Sequence, residues 1–297
     1  MVFPYADSTI LVTGATGHTG RRLVQRLLSR GAKVRCFVHN PAHSNRLPHG
    51  EGLEIVAGSA DSAEDLERAA EGVQAVLHLA HIRYSPYVVE ALSKKTYPVR
   101  VIATSSTRLM STFRTPLREV VRDGEAAFHT APANVQWTIL RPAMIFGGPD
   151  DNNLEKMAKM IKKLPVFPLF GWGNNLVQPI FVWDLIAAIE ACLDRPEAAG
   201  HTYVVAGPEP MTYRDMVLTV AEAAGLERPR FVYLPRRTST FIAQIIRLFW
   251  KKFPLDPDAV RRFGEDRSFA IHPAERDLGF APIPFREALE KKFKGEV

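Results

Sequence analysis

From Thr9 to about Arg141, short apolar runs alternate with amphipathic stretches. The runs Thr9–Thr13, Lys33–Val38, 53–56, 75–79, 100–104 and 137–141 are each four to six residues long, rich in β-branched side chains and bounded by turn formers, the signature of buried strands. Between the first two, residues 21–30 put Leu23, Val24, Leu27 and Leu28 on one helical face and end at Gly31, a natural C-cap. Residues 63–70 read as a second helix ending near Gly72. Six strands alternating with helices predict an α/β protein, a doubly wound parallel sheet of the Rossmann kind.

After Pro142 the rhythm changes. Gly147-Gly148-Pro149-Asp150, the stretch from Phe167 to Gly173 and Gly207-Pro208-Glu209-Pro210 are turn-rich pieces between helical segments at 185–193 and 213–224. The expected division is a Rossmann domain over mainly residues 1–146 and a smaller C-terminal region over mainly 147–297, on the substrate side of the sheet, with some segments returning to the core.

Composition adds constraints. With 297 residues, 46% hydrophobic and 24% charged, the chain has an ordinary globular make-up. Its two cysteines, Cys36 and Cys192, lie inside apolar runs, so no disulfide framework or metal site is expected. Residues 1–8 carry no basic, apolar signal pattern, and no run of about 18 apolar residues occurs, so a cytoplasmic protein is expected. The net charge of +6 is spread along the chain. It favours a phosphate-bearing ligand over nucleic acid, for which neither a basic helix nor an aromatic platform is evident.

The chemistry begins at Thr13-Gly14-Ala15-Thr16-Gly17-His18-Thr19-Gly20, where three glycines follow a strand and open a helix. Gly14 permits the tight turn, Gly17 lets backbone approach a pyrophosphate, and Gly20 lets helix and strand close up. The helix start presents N–H groups and a positive dipole end to phosphate. NAD(P)(H) is the expected ligand. At the end of the second strand, Phe37-Val38-His39-Asn40 lacks the acid that would accept from a ribose 2′-OH. His39 and Asn40, with Arg35 and Arg46 near in sequence, favour NADP(H) over NAD(H); His39 as a plain surface residue stays an equal reading.

Together with Leu77-His78-Leu79-Ala80, Thr104-Ser105-Ser106, Thr138-Ile139-Leu140-Arg141-Pro142-Ala143 and Gln178-Pro179-Ile180-Phe181-Val182-Trp183-Asp184, the turn resembles the short-chain dehydrogenase/reductase superfamily. More narrowly the sequence is similar to the extended and atypical branches: NAD-dependent epimerase/dehydratases, NmrA-like proteins and the NAD(P)H-binding accessory subunit of respiratory complex I. The resemblance implies that Ala80 and His81 line the cofactor near its ribose. It places Ser105 and Ser106 beside the nicotinamide, Pro142, Ala143 and Ile145 on its far side, and Ser106 as the hydroxyl that holds a substrate oxygen. Strand-capping serines and a solvent-facing His81 are the alternatives from the residues alone.

Two departures stand out. Counting back from Glu125, the family's Tyr-x-x-x-Lys positions hold Leu117 and Val121, and the pair occurs nowhere in the chain. Ser59 stands where an adenine-binding aspartate is common, with Asp61 two residues on. Arg108, Arg114, Arg118, Arg122 and His129 are read as a solvated or anion-binding helix face rather than proton donors, and Asp184 as a helix N-cap. Trp172 and Trp183 either pack or border a substrate cleft. The stretch from Ser239 to Phe253 alternates apolar residues with Arg247, Lys251 and Lys252, a face for the chain's own core, a peripheral membrane surface or a protein partner. Two functions follow: an oxidoreductase or epimerase/dehydratase-like enzyme acting on a small-molecule substrate, or a non-catalytic NADP(H)-binding redox sensor or assembly scaffold.

Overall fold

The computed structural model describes residues 3–234 and 265–295. The stretch from Ser239 to Phe253 lies outside the described residues. All six expected strands form: β1 (Thr9–Thr13), β2 (Lys33–Val38), β3 (Leu53–Ala57), β4 (Ala75–His78), β5 (Val99–Thr104) and β6 (Val135–Pro142). They pair in parallel with a seventh from the C-terminal half, His201–Val205, in the order seventh-β6-β5-β4-β1-β2-β3. The expectation of six strands is corrected here: His201–Val205 follows Gly200 as a short run with polar ends, and only its register on Thr138 to Pro142 makes it a sheet strand.

Both faces of the sheet are covered, which is why its central strands read as almost unbroken apolar runs. Helices α1 (His18–Ser29), α2 (Ala63–Ala69), α3 (Ser85–Ser93) and α4 (Pro116–His129) follow β1, β3, β4 and β5. On one face Ile10, Val12, Leu23, Val24 and Leu27 meet a helix from the second half, α6 (Val182–Asp194), through Leu185 and Ile189. On the other, Leu11, Val76 and Val101 meet Leu66, Val88 and Leu92 of α2 and α3 and Val121 and Phe128 of α4. The α1–α6 contact is also charged, with Arg30 on Glu190 at 3.0 Å and Arg26 on the same carboxylate at 3.2 Å.

The remaining C-terminal elements are small. α5 (Asn152–Lys163), α7 (Tyr213–Ala223) and the helices His272–Leu278 and Phe285–Phe293 are joined by two-stranded pairings. One of these sets Phe167–Phe170 parallel to Phe231–Leu234. Among the described residues no helix is long and apolar enough to cross a membrane.

Candidate functional site

The carboxyl ends of β1, β4, β5 and β6 converge on one edge of the sheet. At β1 the chain turns through Gly14, whose φ of +69° only glycine adopts freely; a Cβ there would stand 2.6 Å from Ala80 N and 2.7 Å from the Leu79 carbonyl carbon. A Cβ on Gly20 would overlap the Gly14 carbonyl oxygen. At Gly17 it would touch only that oxygen, at 3.1 Å, and otherwise point into open space. So Gly14 and Gly20 answer to the chain's own packing, and Gly17 keeps the ground above the turn clear.

Gly17 N–H donates to Gly14 O at 3.0 Å, and Arg21 N–H to Gly17 O at 3.2 Å. The N–H groups of His18, Thr19 and Gly20 lie ahead of that first helical bond, at the positive end of α1, and Thr16 forms the rim of the turn. A bare floor with donors directed over it fits the pyrophosphate of a dinucleotide. The His18 imidazole turns elsewhere: Asp150 sits against His18 Nδ1 at 3.0 Å and against the guanidinium groups of Arg21 and Arg22. Burial, with Arg22 next, pushes the His18 pKa down to about 4. Gly148, with φ +78°, lets the loop press onto Arg22, where any Cβ would collide with the guanidinium. Nothing in the local sequence marks Asp150 as the partner of residues nearly 130 positions earlier.

Next to this turn, His78 is wholly buried, its Nδ1 2.8 Å from Thr13 Oγ1, which also accepts from Ala80 N–H at 3.4 Å. This hydroxyl fixes the exit of β4 against the exit of β1. Burial pushes the His78 pKa down to about 4, so the ring is neutral. His81 is exposed and caps the turn Ile82–Tyr84, its Nδ1 accepting from Arg83 N–H at 3.2 Å. Burial, then the Arg83 and Arg108 cations, lower its pKa.

At β5 the two serines part ways. Ser105 Oγ donates to the buried carboxylate of Glu125, which Arg141 Nε grips at 3.0 Å. Its hydrogen is therefore committed. Ser106 Oγ accepts from Arg108 N–H at 3.2 Å, which leaves its own hydrogen to be donated. Thr107 Oγ1 reaches Pro142 O at 3.2 Å and Ala143 N–H donates to Val205 O at 3.0 Å, holding the Pro142 to Ile145 segment beside the serines. Ile145 itself opens a two-residue pairing with Ile180–Phe181.

The ribose end corrects one expectation. Arg35 is bound to Glu54 at 2.7 Å and to the carbonyls of Ala69 and Glu71 at 2.7 and 2.8 Å, so it braces β2 against α2 rather than facing a ribose. His39 and Asn40 are exposed at the end of β2, with the Asn40 side chain accepting from Ala42 N–H at 3.0 Å. The Ser59 hydroxyl donates to Asp61 and holds that carboxylate below its usual range, with His39 and Arg83 acting the same way more weakly.

On α4, Leu117 is 36% exposed and Val121 is 2% exposed; neither can move a proton. Of the polar side chains on the helix, Arg118 Nε donates to Leu109 O at 3.1 Å, Arg122 pairs with Glu119 and Asp123, and His129 stands edge-on to Trp137 at 4.8 Å. A second correction concerns Asp184. Phe181 occupies the N-cap of α6, and Asp184, inside the first turn, accepts instead from Ile283 N–H at 3.0 Å. The helix hydrogen bonds leave its carboxylate free to tie down the C-terminal segment, and burial raises its pKa to about 6. Trp183 packs on the core, whereas Trp172 is 72% exposed. Among the described residues no His, Cys, Asp and Glu cluster could hold a metal.

A glycine turn with open ground above it, at the carboxyl edge of a doubly wound parallel sheet, defines a dinucleotide-binding protein of the Rossmann kind. The chain belongs to the NAD(P)H-binding family, whose model matches residues 14–163, and the 3-beta hydroxysteroid dehydrogenase/isomerase family model matches residues 119–236. It is similar to the 3-beta-hydroxysteroid dehydrogenase of Mycolicibacterium neoaurum, with 25% identity over 92% of this chain and 87% of that one. It is also similar to the mitochondrial NADH dehydrogenase [ubiquinone] 1 alpha subcomplex subunit 9 of Arabidopsis thaliana, with 29% identity over 75% of this chain and 60% of that one. Among solved structures, the UDP-glucuronic acid 4-epimerase of Bacillus cereus superposes with a TM-score of 0.76 at 18% identity, covering 96% of this chain and 98% of that one.

Proposed function

We propose that this chain is an NADP(H)-binding oxidoreductase of the extended short-chain dehydrogenase/reductase type that works without a tyrosine–lysine pair. The observation that carries the reading is the division of labour at β5: Ser105 is locked to Glu125 while Ser106 keeps a hydrogen to give. A donor beside the nicotinamide end of the site suits a carbonyl or alcohol oxygen whose carbon exchanges hydride with the cofactor. The N–H groups of His18, Thr19 and Gly20 hold the pyrophosphate, His39 and Asn40 stand at the adenosine ribose, and Ala80, His81 and the Pro142 to Ile145 segment flank the rest. Ser106 orients and polarises the substrate oxygen. Proton delivery falls to water or to the substrate.

The choice of NADP(H) over NAD(H) rests on the acid-free end of β2. Titration with NADPH and NADH tests that preference. A second reading, a redox sensor or assembly scaffold that binds NADP(H) without turnover, is supported by the sequence resemblance, which puts Leu117 and Val121, neither able to move a proton, where the family has its tyrosine and lysine. Ser106→Ala separates the two. As an enzyme, the protein should lose roughly 100-fold in kcat for NADPH-dependent carbonyl reduction, the scale seen when one polarising donor is removed, while its affinity for NADPH is unchanged. A wild-type protein that binds NADPH but reduces none of a panel of ketones, aldehydes and quinones supports the scaffold.

A further inference from the structure

The turn that carries Ser106 is thinly held. None of the residues Thr107 to Met110 is buried, so the turn depends largely on hydrogen bonds for its position. Thr107 Oγ1 and Arg118 Nε supply one bond each, to Pro142 O and Leu109 O. Glu265 supplies more: its carboxylate accepts from three donors just beyond the turn, Ser111 Oγ at 2.8 Å, Thr112 N–H at 2.5 Å and Thr112 Oγ1 at 2.6 Å. Ser111 N–H in turn donates to Arg108 O at 3.1 Å, and the N–H groups of Arg108 and Leu109 donate to Ser106 Oγ and Ser106 O. Burial pushes the Glu265 pKa up, and these donors more than offset it, so the carboxylate is held below its usual range.

Glu265 opens a strap, residues 265–269, that is itself stitched to the second half of the molecule. Leu176 N–H donates to Asp266 Oδ1 at 2.9 Å, Arg267 N–H to Leu176 O at 2.8 Å, and Phe269 N–H to Gln178 Oε1 at 2.7 Å. Gln178 is buried and donates to Gly207 O at 2.7 Å, and just beyond it Ile180 N–H donates to Met144 O at 2.9 Å. The strap thus joins the exit of β5 to the same Pro142 to Ile145 segment that Thr107 reaches directly, closing a circuit of hydrogen bonds with Ser106 on it. Glu265 is the strongest acceptor in that circuit, because a hydrogen bond to a charged group is roughly twice as strong as one between neutral groups. We propose that Glu265 is a positioning residue: it fixes the turn behind Ser106 and thereby sets where the Ser106 hydroxyl points. The inference rests on the reading of Ser106 as the donor to a substrate oxygen.

Hydrogen exchange of the full-length protein, resolved to single amides, tests this without needing turnover. The reporters are the amides of Arg108 and Leu109, because both are bonded to Ser106 and neither touches Glu265. In Glu265→Ala they should exchange at least about tenfold faster than in wild type, with β1 and α1 unchanged, and in Glu265→Gln, which keeps one acceptor oxygen, the rates should fall between. With a ketone or aldehyde that the wild type reduces, kcat should drop at least about tenfold in Glu265→Ala while the KM for NADPH is unchanged. Wild-type protection of Arg108 and Leu109 in Glu265→Ala, protection lost evenly along the chain, or an unchanged kcat would each overturn the proposal. A wild-type protein that reduces no carbonyl counts against the oxidoreductase reading alone, and the exchange rates still decide the role of Glu265.

Discussion

Gly124, in the middle of α4, sets two physical effects against each other. Intrinsic propensity says that Gly124→Ala should stabilise the helix by about 1 kcal/mol. The tertiary structure says otherwise: a Cβ at this position would overlap the Ile82 carbonyl oxygen and stand 2.8 Å from its carbon and 3.2 Å from Arg83 N. All three are backbone atoms of the turn that His81 caps, and backbone cannot swing aside as a flexible side chain can. Inserting a methyl group into a packed contact costs roughly 1–3 kcal/mol, and most where no rotamer offers escape, so the upper part of that range applies. The net expectation is a destabilisation of about 1–2 kcal/mol. A structural consequence accompanies it, because α4 also carries Glu125: moving the helix off Ile82 loosens the Glu125 grip on Ser105 and Arg141. Urea unfolding followed by circular dichroism measures the first effect, as a lowered midpoint with unchanged slope. A Gly124→Ala variant as stable as wild type, or more so, would refute the claim that α4 lies in direct contact with the β4 exit.

Acid should destabilise the protein through its neutral histidines. His78 has a folded-state pKa of about 4 against 6.5 when unfolded, so between those values the unfolded chain binds more protons and stability falls as the pH falls. From pH 7.5 to 5.5 this one residue accounts for a loss of about 1.3 kcal/mol, and His78→Asn should flatten that part of the stability–pH curve by a similar amount; a curve with the wild-type slope would show that His78 is not the group responsible. Arg35→Ala should cost about 1–2 kcal/mol of stability, by releasing two carbonyls and Glu54, yet leave NADPH affinity within twofold. A large loss of affinity would restore Arg35 to the ribose.

Much of the first half of the fold is legible in the sequence because parallel strands buried on both faces advertise themselves. Thr9–Thr13 and Lys33–Val38 form as read, and the other four expected strands differ only by a residue or two at their ends. The glycine turn is legible for a similar reason, since Gly14 and Gly20 have no substitute at that spacing. What escapes is long-range. His201–Val205 becomes a strand only through pairing with β6, and Arg35 looks available in a linear reading because the carbonyls that engage it arrive from the far end of α2. Asp184 resembles an N-cap by position, and its true partner, Ile283 N–H, is 99 residues away. Likewise Asp150 meets His18, Arg21 and Arg22 only after the C-terminal loop folds back over α1. The motif residues are thus local inventions, whereas the polar groups that orient them come from elsewhere in the chain.

The central claim is that Gly17 and the first N–H groups of α1 cradle a dinucleotide, and fluorescence titration of the purified protein with NADPH and NADH tests it most directly, alongside Gly17→Asp. That substitution directs a carboxylate into the open space above the turn, where the pyrophosphate would lie. The account predicts saturable binding, tighter for NADPH than for NADH, that falls at least about 100-fold in the variant while the fold survives, a loss of about 2.7 kcal/mol. Absence of binding to either nucleotide, or a Gly17→Asp protein that binds as tightly as wild type, would contradict it.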